Sequence, residues 1–199
     1  MKRVVIIFLI LVLQACSGSP SRSVKAGNVQ HSTFKPAQVQ SALSLEYNRA
    51  MALAAEQKLQ QADQILSRIS AGSASLPWNA YANHGIVLFK LQQYGRAEEA
   101  FKRSLQLQPV PAVYNYLGLL YRQTGRFGDA EQAYMNAVKL DARYAAAYRN
   151  LAILNELYLF DYAKARRYYQ QYAQLQPTRG EQVQSWLKVM EQNAQVANQ

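Results

Sequence analysis

The sequence predicts an all-α protein built of stacked helix pairs, and three observations carry that expectation. First, a small residue recurs at Ala62, Ala97, Ala130 and Ala165, at intervals of 35, 33 and 35 residues. Second, each is followed four residues later by a bulky side chain (Leu66, Phe101, Tyr134, Tyr169) and preceded by one three residues earlier (Leu59, Tyr94, Phe127, Tyr162). Offsets of i, i+3 and i+7 lie on one helical face, so each of these stretches is a helix with a single buried stripe. Third, Pro109 and Pro177 follow Leu107 and Leu175, where a helix must stop because proline lacks an N–H and clashes with the preceding turn. A period of this length in which no unit can bury its own apolar face marks a repeat array.

Each unit also has a first half. Tyr81, Gly85 and Leu88 recur as Tyr114, Leu117, Gly118 and Tyr121, then as Tyr148, Leu151, Ala152 and Asn155. A small residue between bulky ones lets two helices cross closely, since a larger side chain would push their axes past the usual 8 to 10 Å or so. Gly95 and Gly125 fall between the halves and are expected to permit the tight turn. The units run over about 43–76, 78–110, 111–144 and 145–177, within a repeat domain spanning 37–177. After Pro177, Thr178 and Glu181 have the spacing of a capping box. Val183, Trp186, Leu187 and Met190 then form a stripe that suits a helix capping the last repeat, with docking of a partner as the alternative. That helix and its tail occupy 178–199.

These residues resemble the tetratricopeptide repeat, whose pattern is an aromatic, Leu-Gly, an aromatic, Ala, an aromatic, Ala and Pro. The likeness is fullest in 111–144, where Tyr114, Leu117, Gly118, Tyr121, Gly125, Phe127, Ala130, Tyr134 and Ala137 fall in register and only the terminal proline is replaced, by Ala142. Unit 78–110 departs at His84, and unit 145–177 carries one extra residue near Leu159 with departures at Asn155 and Tyr172. Unit 43–76 is degenerate, as a terminal cap that needs a polar outer side can be. The resemblance implies a right-handed superhelix of about four helix-turn-helix units plus the capping helix.

Half of the 199 residues are apolar, enough for a sizeable core, and the formal charge is +10. Met1 to Ala15 has a basic start and an apolar run from Val4 to Leu13, then Gln14 and a small residue. Ten apolar residues rise only about 15 Å, roughly half a bilayer core, so 1–15 reads as a signal peptide and not as a permanent span. Leu13-Gln14-Ala15-Cys16 resembles the bacterial lipobox, which implies that Cys16, the single cysteine, is the lipid attachment site and the mature N-terminus. Loss of Lys2 and Arg3 then leaves 20 basic residues of the original 22 against 12 acidic ones, a net +8. Ser17 in place of an aspartate favours the periplasmic face of the outer membrane under the sorting rule that the lipobox resemblance brings. Residues 16–36 are the lipidated terminus and a Ser-rich linker; some 20 flexible residues span roughly 25 Å, enough to hold a domain off the lipid.

No residues converge on catalysis. The repeats hold one histidine, His84, on a core-facing position where a buried, hydrogen-bonded side chain is expected. Glu98 and Glu99 are expected on an exposed face beside Lys102 and Arg103. Phosphate loops, zinc spacings and calcium loops are absent, so neither cofactor nor metal is expected. Of the seven tyrosines from Tyr144 to Tyr172, four fall on packing positions, and Tyr144, Tyr158 and Tyr168 are left as candidate contacts.

In the superhelix that the resemblance implies, the first helix of each unit lines the concave side. Its non-packing positions are Tyr47 and Met51, then Ala82, Ile86 and Phe89, then Asn115, Leu119 and Arg122, then Arg149, Ile153 and Glu156. This apolar strip flanked by Asn115, Arg122 and Arg149 suits a peptide or helix that brings apolar anchors and a carboxylate. An empty groove with binding on the convex face or the C-terminal helix is the alternative. The expected function is a non-enzymatic, outer-membrane-anchored scaffold for another envelope protein. Its architecture resembles lipoproteins that assemble type IV pili, tight-adherence pili and secretion systems; an adaptor for peptidoglycan hydrolases or envelope proteases is the alternative. A nucleic-acid partner, which the charge alone would permit, is not expected.

Overall fold

The structure is a computed structural model that describes residues 41–72 and 76–197, with side chains over 43–72 and 76–191. Among the described residues there are nine α-helices: α1 (Ser41–Ala55), α2 (Leu59–Gly72), α3 (Trp78–Lys90), α4 (Tyr94–Leu107), α5 (Pro111–Gln123), α6 (Phe127–Leu140), α7 (Ala145–Leu157), α8 (Tyr162–Leu175) and α9 (Gly180–Ala197), with a 3₁₀ turn at Pro177–Arg179 before α9. Successive helices pack on one another along the chain, and first helices also touch, α3 with α5 and α5 with α7. This is the tetratricopeptide arrangement, four helix pairs and a closing helix. None of the described helices is long and apolar enough to cross a membrane.

The glycine of the second and third repeats leaves room for an aromatic ring of the paired helix. A Cβ added at Gly118 would sit 2.4 Å from Tyr134 Cε1, and one at Gly85 would sit 2.6 Å from Phe101 Cδ1. Ala62, Ala97, Ala130 and Ala165 have no exposed surface, nor do Phe101 and Tyr134. The stripe on α9 is used up in the same way. Val183, Leu187 and Met190 are buried against α8, and Trp186 packs on Tyr169 and Tyr172 at ring separations of 5.4 and 6.4 Å. Capping therefore accounts for this helix. Thr178, expected to cap it, lies inside the 3₁₀ turn.

The turns differ from expectation at Gly95. It lies in the first turn of α4, where a Cβ would meet nothing, and it does not carry the reversal. The left-handed residue of the four turns is Gln57 (φ 61°), Gln92 (φ 60°), Gly125 (φ 76°) and Phe160 (φ 55°), one per repeat at the same place. Only Gly125 is free of the Cβ penalty there. In the fourth turn Asp161 compensates by accepting from the Lys164 backbone N–H at 3.0 Å, capping α8.

Candidate partner-binding face

The first helices approach so closely that polar side chains bond across them. Asn83 on α3 donates to the Tyr47 hydroxyl on α1, and Asn150 on α7 donates to Asn115 Oδ1 on α5 at 2.7 Å. One step further along α7, Tyr169 of α8 donates to Glu156 Oε2 at 2.7 Å. Of the predicted groove residues, Tyr47, Ala82, Ile86, Asn115, Leu119, Ile153 and Glu156 are therefore buried. Met51, Phe89, Arg122 and Arg149 remain partly open. The accessible strip is narrower than the sequence pattern suggests and divides by chemistry. Met51 and Phe89 are apolar in the first two repeats, and Arg122 and Arg149 are cationic in the last two. Phe89 is braced by Tyr94, with ring centroids 5.8 Å apart. Arg122 lies over the Tyr158 ring at 5.9 Å, and one of its nitrogens, Nη1, is buried without a hydrogen-bond partner. Tyr158 is 39% exposed and packs on Phe127 at 4.9 Å, whereas Tyr144 and Tyr168 are partly buried. Cys16 and the linker lie outside the described residues.

The second helices carry a feature that the sequence pattern left unread. The residue after each signature alanine pairs with the next unit. Asp63 of α2 meets Arg96 of α4 at 3.0 Å, Glu98 meets Arg126 at 2.8 Å, Glu131 meets Lys164 at 3.6 Å, and Arg166 meets Glu191 of α9 at 3.0 Å. The charge order reverses at the last step, where the base lies on α8 and the acid on the capping helix. Glu98 is not the exposed residue expected: Lys102, Arg126 and the Tyr121 hydroxyl converge on it, and they hold its carboxyl below the usual range against the opposing effect of burial. Asp63 likewise accepts from both Arg96 guanidinium nitrogens, from Ser67 and from His84 Nε2 at 2.8 Å. His84 is buried, as expected, and burial lowers its proton affinity more than Asp63 raises it. The Arg96 charge nearby adds to the effect of burial.

At the open end of the array, Arg49, Leu53, Gln61, Gln64, Ile65 and Arg68 line a cleft of about 410 Å³ between α1 and α2. The outer side of this first pair is thus mixed, with Leu45 73% exposed beside the polar residues. Among the described residues no group of three His, Cys, Asp or Glu side chains could hold a metal ion.

The tetratricopeptide repeat family profile matches residues 82–145, the second and third units. No curated protein sequence matches the chain significantly. Solved structures share the fold at low identity. MamA from Desulfovibrio magneticus superposes with a TM-score of 0.64 at 22% identity, over 69% of this chain and 77% of that one. PilF of Pseudomonas aeruginosa gives 0.64 at 16%, over 77% and 69%. YrrB, described as a TPR protein with an unusual peptide-binding site, gives 0.61 at 18%, over 68% and 70%. The class defined by fold and matches together is the tetratricopeptide superhelix.

Proposed function

We propose that this protein is a non-enzymatic scaffold that holds a segment of another envelope protein along the inner strip of its first helices. The observation that carries the reading is the strip itself: part-open Met51 and Phe89 followed by part-open Arg122 and Arg149, on helices locked together beneath them by buried amides. A rigid concave surface with apolar anchors at one end and cations at the other suits an extended or helical peptide with the reverse order. The peptide-binding site ascribed to YrrB, which shares the fold, supports this use of it. Anchoring through acylated Cys16 at the periplasmic face of the outer membrane completes the proposal, and the fold shared with PilF favours an assembly role in a pilus or secretion machine.

Photo-crosslinking in cells tests the scaffold. A photoreactive residue at Phe89 should trap one envelope protein that the same residue at Gln132, exposed on α6, does not. Equal trapping at both positions, or trapping only at Gln132, removes the inner strip as the site. The anchor has its own test: labelled palmitate should enter the wild-type chain and not Cys16→Ala, and Cys16→Ala should leave the membrane fraction. Retention of that variant on the membrane overturns the lipid anchor alone.

A further inference from the structure

The array has two edges, and they differ in charge. The bonds from Asn83 to Tyr47 and from Asn150 to Asn115 join residues at nearly equal distances from the starts of their helices, so the first helices run side by side with their starts together. Each second helix runs back from a short turn, which brings the ends of α2, α4, α6 and α8 to the edge where the first helices begin. The turns at Gln57, Gln92, Gly125 and Phe160 form the opposite edge. There the cation at the start of each second helix is ion-paired: Lys58 with Glu56 at 2.7 Å, Arg96 with Asp63 at 3.0 Å, Arg126 with Asp129 at 2.7 Å and Lys164 with Asp161 at 3.4 Å. At the other edge lie Arg103 on α4, Lys139 in the last turn of α6, Arg143 in the loop that follows and Arg179 in the 3₁₀ turn. All four are exposed, and among the described residues none has a carboxylate within ion-pair distance. Arg103 and Arg179 reach only neutral amides, Gln106 at 3.3 Å and Gln182 at 3.2 Å. Two acids stand beside them, Glu181 and Asp141, which accepts from the Arg143 backbone N–H at 2.8 Å. Apolar surface accompanies the charge. The last residues of α4 and α6, Leu107 and Leu140, are 47% and 48% exposed, whereas their counterpart Leu175 is more covered where the 3₁₀ turn packs on α8.

We propose that this edge is a lipid-contact surface: Leu107 and Leu140 enter the headgroup region of an anionic bilayer while Arg103, Lys139, Arg143 and Arg179 lie against its phosphates. The proposal rests on the lipid anchor proposed above, and the place where the chain enters the fold supports it. Helix α1 begins on this edge, so the segment that carries Cys16 reaches the domain from this side. A linker long enough to hold the domain off the lipid also lets this edge settle on it. At the effective concentration of a short tether, on the order of millimolar, a weak contact suffices. Each cation near an anionic surface contributes a factor of about five, and the leucines add apolar burial. Met51, Phe89 and Arg122 lie in the last two turns of their helices, toward the opposite edge, so the inner strip stays open to a partner while the domain rests on the membrane.

The test uses the full chain as extracted from membranes, reconstituted on phosphatidylcholine vesicles with or without phosphatidylglycerol. Brominated acyl chains in these vesicles quench any tryptophan in contact with them. Leu140→Trp should lose most of its added emission on the anionic vesicles, relative to unbrominated ones, whereas Phe160→Trp, at an exposed place on the turn edge, should keep its own. The wild-type chain supplies the background from Trp78 and Trp186. Omitting phosphatidylglycerol, raising the salt, or adding Lys139→Glu with Arg143→Glu should restore the Leu140→Trp emission while the chain still floats with the vesicles. Full emission from Leu140→Trp in a chain that floats, equal quenching at both positions, or quenching that survives the charge reversal overturns the lipid contact and leaves the anchor standing. Photo-crosslinking from position 140 in cells that captures a protein in place of lipid overturns it as well. A chain that fails to float overturns the anchor and this contact together.

Discussion

Gly118→Ala tests the packing logic that builds the array. The added Cβ would lie 2.4 Å from Tyr134 Cε1, 2.6 Å from Cδ1 and 2.9 Å from Cζ, against ordinary contacts of about 3.5–4.0 Å. Tyr134 has no exposed surface, so its ring cannot swing into solvent and α5 and α6 must separate by about 1 Å. Overpacking of this kind costs about 1–3 kcal/mol, and a rigid ring held on both sides belongs at the upper end. Against that stands a gain of roughly 1 kcal/mol from replacing glycine inside a helix. The net loss is about 2 kcal/mol, which for a chain of this size lowers the melting temperature by about 4–8 °C. Thermal unfolding followed by circular dichroism reads it. The double variant Gly118→Ala with Tyr134→Leu should recover most of the loss, since the first repeat pairs Ala50 with Leu66 at these positions. An unchanged or raised melting temperature in the single variant would refute the reasoning.

The turn and the buried histidine give two further predictions. Gly125→Ala places a Cβ on a backbone with φ 76° and should cost about 1–2 kcal/mol, whereas Gln92→Gly at φ 60° should be neutral or stabilising; equilibrium denaturation compares them. His84 takes up a proton less readily in the folded state than its ordinary 6.5, because burial outweighs its contact with Asp63, and Arg96 adds to the effect of burial. The unfolded chain therefore binds more protons, so stability from this group is present above about pH 6.5 and is lost as pH falls below it. Asp63, held below its ordinary 3.8, contributes a separate loss only below that value. The melting temperature should fall between pH 7 and pH 5, and His84→Leu should flatten the fall. A rise on acidification would mean that the Asp63 contact outweighs burial.

The fold was legible because each signature residue does one packing task at one place. Gly118 receives Tyr134, and Val183 with Leu187 and Met190 closes the end. The turns were less legible: glycine is the usual signal for a left-handed residue, yet Gln57, Gln92 and Phe160 adopt it, while Gly95 sits inside a helix. The ion pairs between second helices escaped notice for a geometric reason. A helical spacing relates Glu98 to Lys102 four residues on, but nothing local relates Glu98 to Arg126 or Arg166 to Glu191. The inner strip was legible as a stripe and not in its depth. Asn83 and Asn150 bond across the first helices to Tyr47 and Asn115, which are buried, and the sequence does not show that one nitrogen of the part-open Arg122 is buried.

The central claim is that a partner lies along the first helices, with its anionic end over the last two repeats. Once crosslinking has identified that partner, calorimetry of its binding to the full chain tests the claim most directly, with wild type compared with Arg149→Glu and with Gln132→Glu on the outer face. Replacing a charge-assisted contact with a repulsive one costs about 1.5–3 kcal/mol, so Arg149→Glu should weaken binding about ten- to a hundredfold while Gln132→Glu leaves it unchanged. Unchanged affinity in Arg149→Glu, or an equal loss in both variants, would contradict it.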